Sequence, residues 1–189
     1  MKSNDLYVIL QEKNPSEIIK AREDEVFELI PELKLAKGFN QNNPWHIYDV
    51  YNHILHVVDY VPNDLNLRIA ALFHDIGKPF TYSVDEKGIG HFKNHYVDSL
   101  NIFLKYANNN HLDIERISSI AKLIYFHDFR FKNDDNTNIT KLVDSFTYDE
   151  LVSLYELKKA DLLAQNSEFH YMLKDIEEQK NLILERYRR

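Results

Sequence analysis

The sequence predicts an all-α fold, a single helical bundle of 189 residues, on two observations. Apolar residues recur at three- and four-residue steps in one segment after another, the spacing that lines one face of an amphipathic helix. The chain also has only four glycines, which leaves few positions for the tight turns that connect strands. Residues 81–92 are the one stretch without a helical period, and we expect a loop or an irregular hairpin there.

Prolines and capping residues divide the predicted helices from one another. Pro31 and Pro62 stop helices, because proline lacks the amide hydrogen that a helix interior needs. Asp64 is expected to cap the helix that follows it, and Thr147 with Glu150 has the spacing of a capping box. The helices predicted in this way cover residues 5–12, 16–29, 47–61, 67–75, 94–106, 113–126, 139–146, 148–164 and 167–187. We expect residues 1–38 to form an N-terminal helical segment that packs on a core domain at 39–189.

Composition excludes several classes of protein. With 44% hydrophobic residues and a mean hydropathy of −0.47, the chain is typical of a globular protein and not of a disordered one. No apolar run reaches the roughly 18 residues that a membrane span needs, and the N-terminus lacks the apolar stretch of a signal peptide. The chain has no cysteine and therefore no disulfides. We expect a cytoplasmic location.

The charge restricts the partners. A formal net charge of −7 argues against an extended nucleic-acid interface, because phosphate neutralisation needs clustered lysine and arginine. It remains compatible with a small phosphorylated substrate in a pocket that holds one or two cations. Because thiolates are absent, nitrogen and oxygen atoms would have to hold any metal.

Four polar side chains interrupt apolar segments in a pattern that suits a metal site. His53 lies mid-helix between apolar neighbours, and His74 and Asp75 end an apolar helix. Asp161 interrupts an apolar stripe, where a lone carboxylate is costly unless it is paired or bound to a cation. Two imidazoles and two carboxylates from three helices suit octahedral coordination of Mn²⁺, Mg²⁺, Fe²⁺ or Ni²⁺.

Further histidines lie near these positions in the predicted helices. His95 begins a helix and His127 follows an apolar run, so they could hold a second ion or, alternatively, cap helices and orient ligands. His46 and Asp49 precede the mid-helix histidine by seven and four residues, which favours a role in orienting a ligand. His91 is expected on the surface.

The order of these residues resembles that of the HD superfamily of metal-dependent phosphohydrolases over residues 42–166. Within it, the sequence is similar to the HD domain that follows the nucleotidyltransferase core of bacterial CCA-adding enzymes and related poly(A) polymerases. The segments that carry the resemblance are Asn42-Asn43-Pro44-Trp45-His46, Asp49-Val50-Tyr51-Asn52-His53, Ala70-Ala71-Leu72-Phe73-His74-Asp75-Ile76-Gly77-Lys78-Pro79, Gly90-His91-Phe92-Lys93-Asn94-His95 and Leu157-Lys158-Lys159-Ala160-Asp161-Leu162-Leu163-Ala164-Gln165-Asn166.

The resemblance implies a set of metal ligands and two catalytic candidates. The implied ligands are His53, His74, Asp75 and Asp161, with His95 and His127 added in families that bind two ions. Asp75 would orient the attacking water, and Lys78 would contact a substrate phosphate. For Lys78 the alternative is a solvated lysine at a helix end. Arg130 is a second, weaker candidate for phosphate, since its planar fork suits bidentate contact.

The sequence therefore predicts a phosphohydrolase that uses one or two divalent metal ions. It would hydrolyse a nucleotide or a related small phosphate ester, either a phosphomonoester or a cyclic phosphodiester, with a metal-activated water. Residues 1–38 are too few for a nucleotidyltransferase domain, so we expect the module to stand alone. The alternative is a non-catalytic module that binds RNA or a nucleotide, or that partners a separate nucleotidyltransferase chain.

Overall fold

The computed structural model describes residues 1–129, 140 and 143–188, which form a helical bundle with one small hairpin. The helices before the hairpin are α1 (Ser3–Leu10), α2 (Pro15–Ala21), α3 (Glu23–Leu29), α4 (Pro31–Ala36), α5 (Val50–Tyr60), α6 (Leu65–Phe73) and α7 (Lys78–Thr81). Those described after it are α8 (His95–Asn109), α9 (Ile114–Phe126), α10 (Tyr148–Leu163), a 3₁₀ helix (Ser167–Met172) and α11 (Leu173–Tyr187). The all-α prediction is confirmed.

The core lies where α5, α6, α9 and α10 pack on one another. Apolar side chains such as Ile54, Phe73 and Leu157 are fully buried there. α8 covers α9, and α11 covers α10. At the N-terminus, α1 packs on α6, while α2 and α4 pack on α5. Leu6 and Leu33 belong to the same apolar cluster, so the N-terminal helices share the core, and the division at residue 38 stays a prediction.

The stretch without helical period is a short antiparallel hairpin. Strand β1 (Tyr82–Val84) pairs with β2 (Gly90–Phe92), and Tyr82 lies opposite Phe92. Gly88 lies in the connecting turn with a φ of 79°, a conformation that glycine adopts without steric cost. The hairpin brings the main chain of β2 close to the start of α8, which carries His95.

Several helix boundaries differ from the prediction. The predicted helix at 16–29 is divided at Arg22, whose φ of −116° and ψ of 31° are not helical. Pro31 ends one helix and also begins α4, because proline is favoured in the first turn of a helix. Asp49 accepts a hydrogen bond from the Asn52 amide, so α5 begins at Val50. In the predicted helix at 139–146, residues 140 and 143–145 are helical, and residues 139, 141 and 142 lie outside the described residues. Within the described residues, no helix is long and apolar enough to cross a membrane.

Candidate metal centre

Four side chains from three separated segments of the chain converge at the centre of the bundle. Nε2 of His53 lies 3.1 Å from Oδ2 of Asp75 and 3.0 Å from Oδ1 of Asp161. Nε2 of His74 lies 3.3 Å from the same Oδ2 of Asp75. Ligand atoms at right angles around an ion, each about 2.1 Å from it, lie about 3 Å apart. We name these four residues the first ligand group.

Two further histidines approach the other oxygen of the shared carboxylate. Nε2 of His95 lies 3.0 Å and Nε2 of His127 lies 3.5 Å from Oδ1 of Asp75. The two imidazole nitrogens are 3.1 Å apart. We name Asp75, His95 and His127 the second ligand group. Because each oxygen of Asp75 faces a different group, this carboxylate joins two sites that could each hold a cation.

Main-chain hydrogen bonds orient three of the four imidazoles. Nδ1 of His74, His95 and His127 lies 2.7, 2.9 and 2.7 Å from the main-chain oxygen three residues earlier in each case. A carbonyl accepts only, so Nδ1 carries the proton and Nε2 presents its lone pair to the ligand group. His74 and His127 occupy equivalent places, because each directly follows the last residue of an apolar helix.

Burial gives the polar atoms of these groups a strong requirement for partners. His53 and His74 are fully buried; among the described residues Nε2 of His74 makes no hydrogen bond, and Nε2 of His53 faces the carboxylates of Asp75 and Asp161. Buried polar atoms without partners are rare, and a cation at this position would satisfy both nitrogens. The donor set, imidazole nitrogen with carboxylate oxygen, is one that divalent ions of the first transition row accept. The residues therefore fit a divalent metal.

Electrostatics keep both carboxylates ionised. Burial opposes ionisation of Asp75, but His74 and the Lys78 ammonium outweigh it and hold the pKa of this carboxyl well below its usual range. Burial opposes ionisation of Asp161 as well, and His53 lowers the pKa of this carboxyl further than burial raises it. Burial alone would lower the pKa of His53, yet the two carboxylates raise it. A cation thus competes with a proton for the His53 nitrogen.

Lys78 is buried beside the shared carboxylate, with 5% of its surface exposed. Its Nζ lies 2.6 Å from Oδ2 of Asp75, donates to Oε1 of Gln41 at 2.8 Å, and lies 3.2 Å from Nε2 of His46. Burial and the adjacent ammonium lower the pKa of His46 to about 2, so its ring is neutral and accepts from the lysine. The solvated alternative does not describe this lysine, and its contact with a phosphate stays a prediction.

An open cleft leads to the ligand groups. It encloses about 270 Å³, and its walls away from the ligands include Trp45, Phe92, Gln165 and Met172. A second cavity of about 280 Å³ adjoins it between α10 and α11, with Leu162, Ile176 and Gln179 among its lining residues. The two share the walls formed by His127 and Asp161, so the metal centre lies where they meet.

The remaining predicted residues have distinct places. Asp49 caps α5, and among the described residues its carboxylate accepts from the amides of Asn52 and Gly38 and not from a member of either ligand group. His91 is partly exposed, as expected, and lies 3.0 Å from Asp85, but it also lines the cleft. Arg130 lies outside the described residues, so its assignment to phosphate is untested.

Sequence reasoning missed several residues at the site. Gln41 binds the buried lysine from a polar loop, where no pattern distinguishes it from its neighbours. Gln165, just past the end of α10, donates to Oδ1 of Asp161 at 3.2 Å, and its position four residues after a candidate ligand was a usable signal. Lys158 lies in one of the segments that carry the family resemblance. Its hydrogen-bond acceptors are the main-chain oxygens of His127 and Phe129, 31 and 29 residues earlier, which no local pattern indicates.

Comparison with known proteins identifies the family. Residues 45–149, more than half of the chain, match the HD domain family model, and the chain therefore belongs to the HD domain family. HD domains bind divalent metals and are generally metal-dependent hydrolases. No curated protein matches the chain. The match concerns the HD domain alone, and the likeness to CCA-adding enzymes stays a prediction.

Proposed function

We propose that the protein is a divalent-metal-dependent phosphohydrolase that acts on a nucleotide or another small phosphate ester. One observation carries the proposal: the two oxygens of Asp75 face two separate groups of imidazole nitrogens at the end of an open cleft. That arrangement suits two neighbouring cations. It also leaves the cleft side of both positions open to substrate.

The proposed ligands divide between two ions. The first ligand group would hold one and the second ligand group the other, with Asp75 in common. Divalent ions supply the charge that lowers the pKa of a water molecule and offsets the charge that develops on phosphate oxygens. Manganese, magnesium, iron and nickel all suit the nitrogen and oxygen donors.

The protein's own groups would position the ester and its attacking water. Asp75 would orient the water. The Lys78 ammonium would hold Asp75 in place and would also contact a non-bridging phosphate oxygen. His46 would keep that ammonium in place through its neutral Nε2. The buried histidines exclude bulk water from the ligand side, which strengthens each of these electrostatic contacts.

The shape of the cleft supports an ester with an organic group larger than phosphate. Trp45 is 41% exposed and lines the cleft, where its ring offers a stacking surface for a nucleobase. The adjoining cavity has an apolar wall at Ile176 and an amide at Gln179. Both a nucleoside monophosphate and a cyclic phosphodiester are consistent with this lining.

The alternative function is a module that binds RNA or a nucleotide beside a separate nucleotidyltransferase. The resemblance to CCA-adding enzymes motivates it. A binding module has no need for six buried or partly buried metal-type ligands, and the net charge of −7 opposes a long RNA contact. Nucleic-acid affinity that falls steeply with added salt would favour this alternative.

The proposal is tested by metal content together with turnover. Elemental analysis of the purified protein would be paired with a phosphate-release screen of nucleotides and cyclic nucleotides with Mn²⁺, Mg²⁺ and Ni²⁺. We expect stoichiometric metal, and turnover that His74→Ala abolishes. His111→Ala is the control, because His111 lies in the loop between α8 and α9, outside both ligand groups. Absence of bound metal under every condition would overturn the proposal.

A further inference from the structure

A buried lysine outside both ligand groups holds the turn that carries His127. Lys158 lies on α10 and is 8% exposed. Its Nζ donates hydrogen bonds to the main-chain oxygens of His127 and Phe129, at 2.7 and 2.6 Å. The His127 oxygen lies at the C-cap of α9, where carbonyl groups lack partners within the helix and carry a partial negative charge, and the Phe129 oxygen lies two residues further on. One helix thus supplies a cationic cap for another.

Packing alone does not explain why a charged side chain is buried at this position. Burying an ammonium ion is costly, and an apolar side chain of similar volume often replaces a buried charge without loss of stability. What the ammonium adds is direction, because its hydrogen bonds bind two specific carbonyl groups. One of those groups belongs to His127, whose Nε2 faces the second ligand group.

Two hydrogen bonds position His127, one at its ring and one at its main chain. Nδ1 of its ring lies 2.7 Å from the oxygen of Ile124, which sets the orientation of the imidazole. The bond from Lys158 sets the position of the main chain beneath that ring. Asp161 follows Lys158 by three residues, one turn further along α10. The same helix therefore presents a ligand atom to the first group and anchors a ligand of the second.

We infer that Lys158 is a positioning residue for the second ion, acting through the main chain of His127. The inference rests on the proposed two-ion centre, and it assigns Lys158 no contact with substrate or metal. Because Lys158 on α10 holds the turn at the end of α9, it sets the position of His127 relative to Asp161. The spacing between α9 and α10 then determines whether both ions can bind together. Removing the lysine should therefore affect the two ions unequally.

Lys158→Met tests this directly, with Lys159→Met as the matched control. Methionine keeps most of the stem and removes the donors, whereas Lys159 is exposed on the same helix. Calorimetric titration with Mn²⁺ would give the stoichiometry and both dissociation constants. We expect Lys158→Met to weaken the second ion by about 10- to 100-fold, the usual effect of losing a group that orients a ligand. The first ion should change by less than about threefold, and Lys159→Met should bind both as the wild type does.

A double-mutant cycle separates positioning from general destabilisation. His127→Ala should remove the second ion, and adding Lys158→Met to it should change the remaining metal affinity no further. Unchanged affinity for the second ion in Lys158→Met would overturn the inference. Equal weakening of both ions would overturn it as well, because that result indicates a structural role alone. If Lys158→Met does not fold, Lys158→Arg decides, since its longer side chain holds the donors in a fixed planar fork, shifts the turn that they bind and should weaken the second ion alone.

These outcomes are distinct from failure of the proposed function. A wild-type protein that binds a single ion at all metal concentrations contradicts the two-ion centre, and the inference falls with it. A wild-type protein that binds two ions, with Lys158→Met indistinguishable from it, overturns the inference and leaves the proposed function standing.

Discussion

Nζ of Lys78 lies 2.6 Å from Oδ2 of Asp75, so a buried ammonium ion borders the carboxylate that both ligand groups share. The lysine reaches this position because α7 begins directly after the turn that follows Asp75. Gly77 makes that turn possible: its amide donates to Oγ of Ser99, and a Cβ there would collide with the main chain of α8. The turn at residues 74–77 and the start of α8 are thus packed with no space for a side chain between them.

Lys78→Met should lower turnover without removing metal. Methionine keeps the buried stem but eliminates the ammonium that we propose for phosphate contact. We expect kcat/KM to fall about 100- to 1,000-fold, the loss typical when a donor to a developing charge is removed. Metal stoichiometry should be unchanged, and Lys87→Met, on the exposed hairpin turn, is the control. Wild-type kcat/KM in Lys78→Met would contradict the assignment.

Asp161→Asn should weaken the first ion selectively. The amide keeps the shape of the side chain but removes the negative charge and one acceptor beside His53. Loss of a partner that orients a ligand typically costs about 10- to 100-fold in affinity, and loss of a ligand should cost at least as much. Asp149→Asn is a matched control, because Asp149 is exposed in the first turn of the same helix. Equal metal affinity in the two variants would refute this ligand.

Metal affinity should rise with pH. The two carboxylates raise the pKa of His53, so at low pH a proton occupies the nitrogen that the metal needs. Above the folded-state pKa of His53 the proton is absent and the affinity should level off. Titrations between pH 5.5 and 8.5 in buffers of different ionisation enthalpy would count the protons released, and an affinity independent of pH would contradict the prediction.

In the metal-free protein, His53 should make the stability of the fold decrease as the pH rises, whereas metal affinity increases. Because the pKa of His53 is higher in the folded than in the unfolded protein, its ion pair stabilises the fold below the unfolded value of about 6.5. That stabilisation is lost as the pH rises through the folded value. Urea unfolding after chelation would measure it, and His53→Gln should remove this component of the pH dependence.

Removing metal should lower the melting temperature. Free metal at one hundred times its dissociation constant stabilises the native state by about 2.7 kcal/mol. For a chain of this length, each kcal/mol corresponds to about 2–4 °C, so chelation should lower Tm by about 5–10 °C. His74→Ala should show a smaller shift, and identical shifts in both proteins would place the metal elsewhere.

Filling the second cavity should discriminate between substrates. Ile176 lines that cavity, and Ile176→Trp would occupy much of its volume of about 280 Å³. We expect kcat/KM for a nucleotide to fall at least about tenfold, because large groups no longer fit beside the metal centre. A small ester such as p-nitrophenyl phosphate should react unchanged, and Ile176→Val is the conservative control. Equal loss for both esters would show that the cavity does not accommodate the larger group.

Local signals in the sequence determined most of the helical architecture. Apolar spacing predicted the helices that form the core, and Asp64 and Thr147 cap their helices as their positions indicated. Where the prediction differed, the cause was also local. Pro31 both ends and begins a helix, which spacing alone does not reveal.

The sequence by itself determined the class of fold and the candidate ligands, because each ligand is a polar residue placed where an apolar pattern requires burial. Only the tertiary structure decided that the oxygens of Asp75 face opposite groups, that Lys78 is held by Gln41, and that Lys158 caps the end of α9. The two lysine contacts join residues 37 and 31 positions apart. They depend on how helices pack, and a one-dimensional pattern carries the period of each helix but not its orientation against the next.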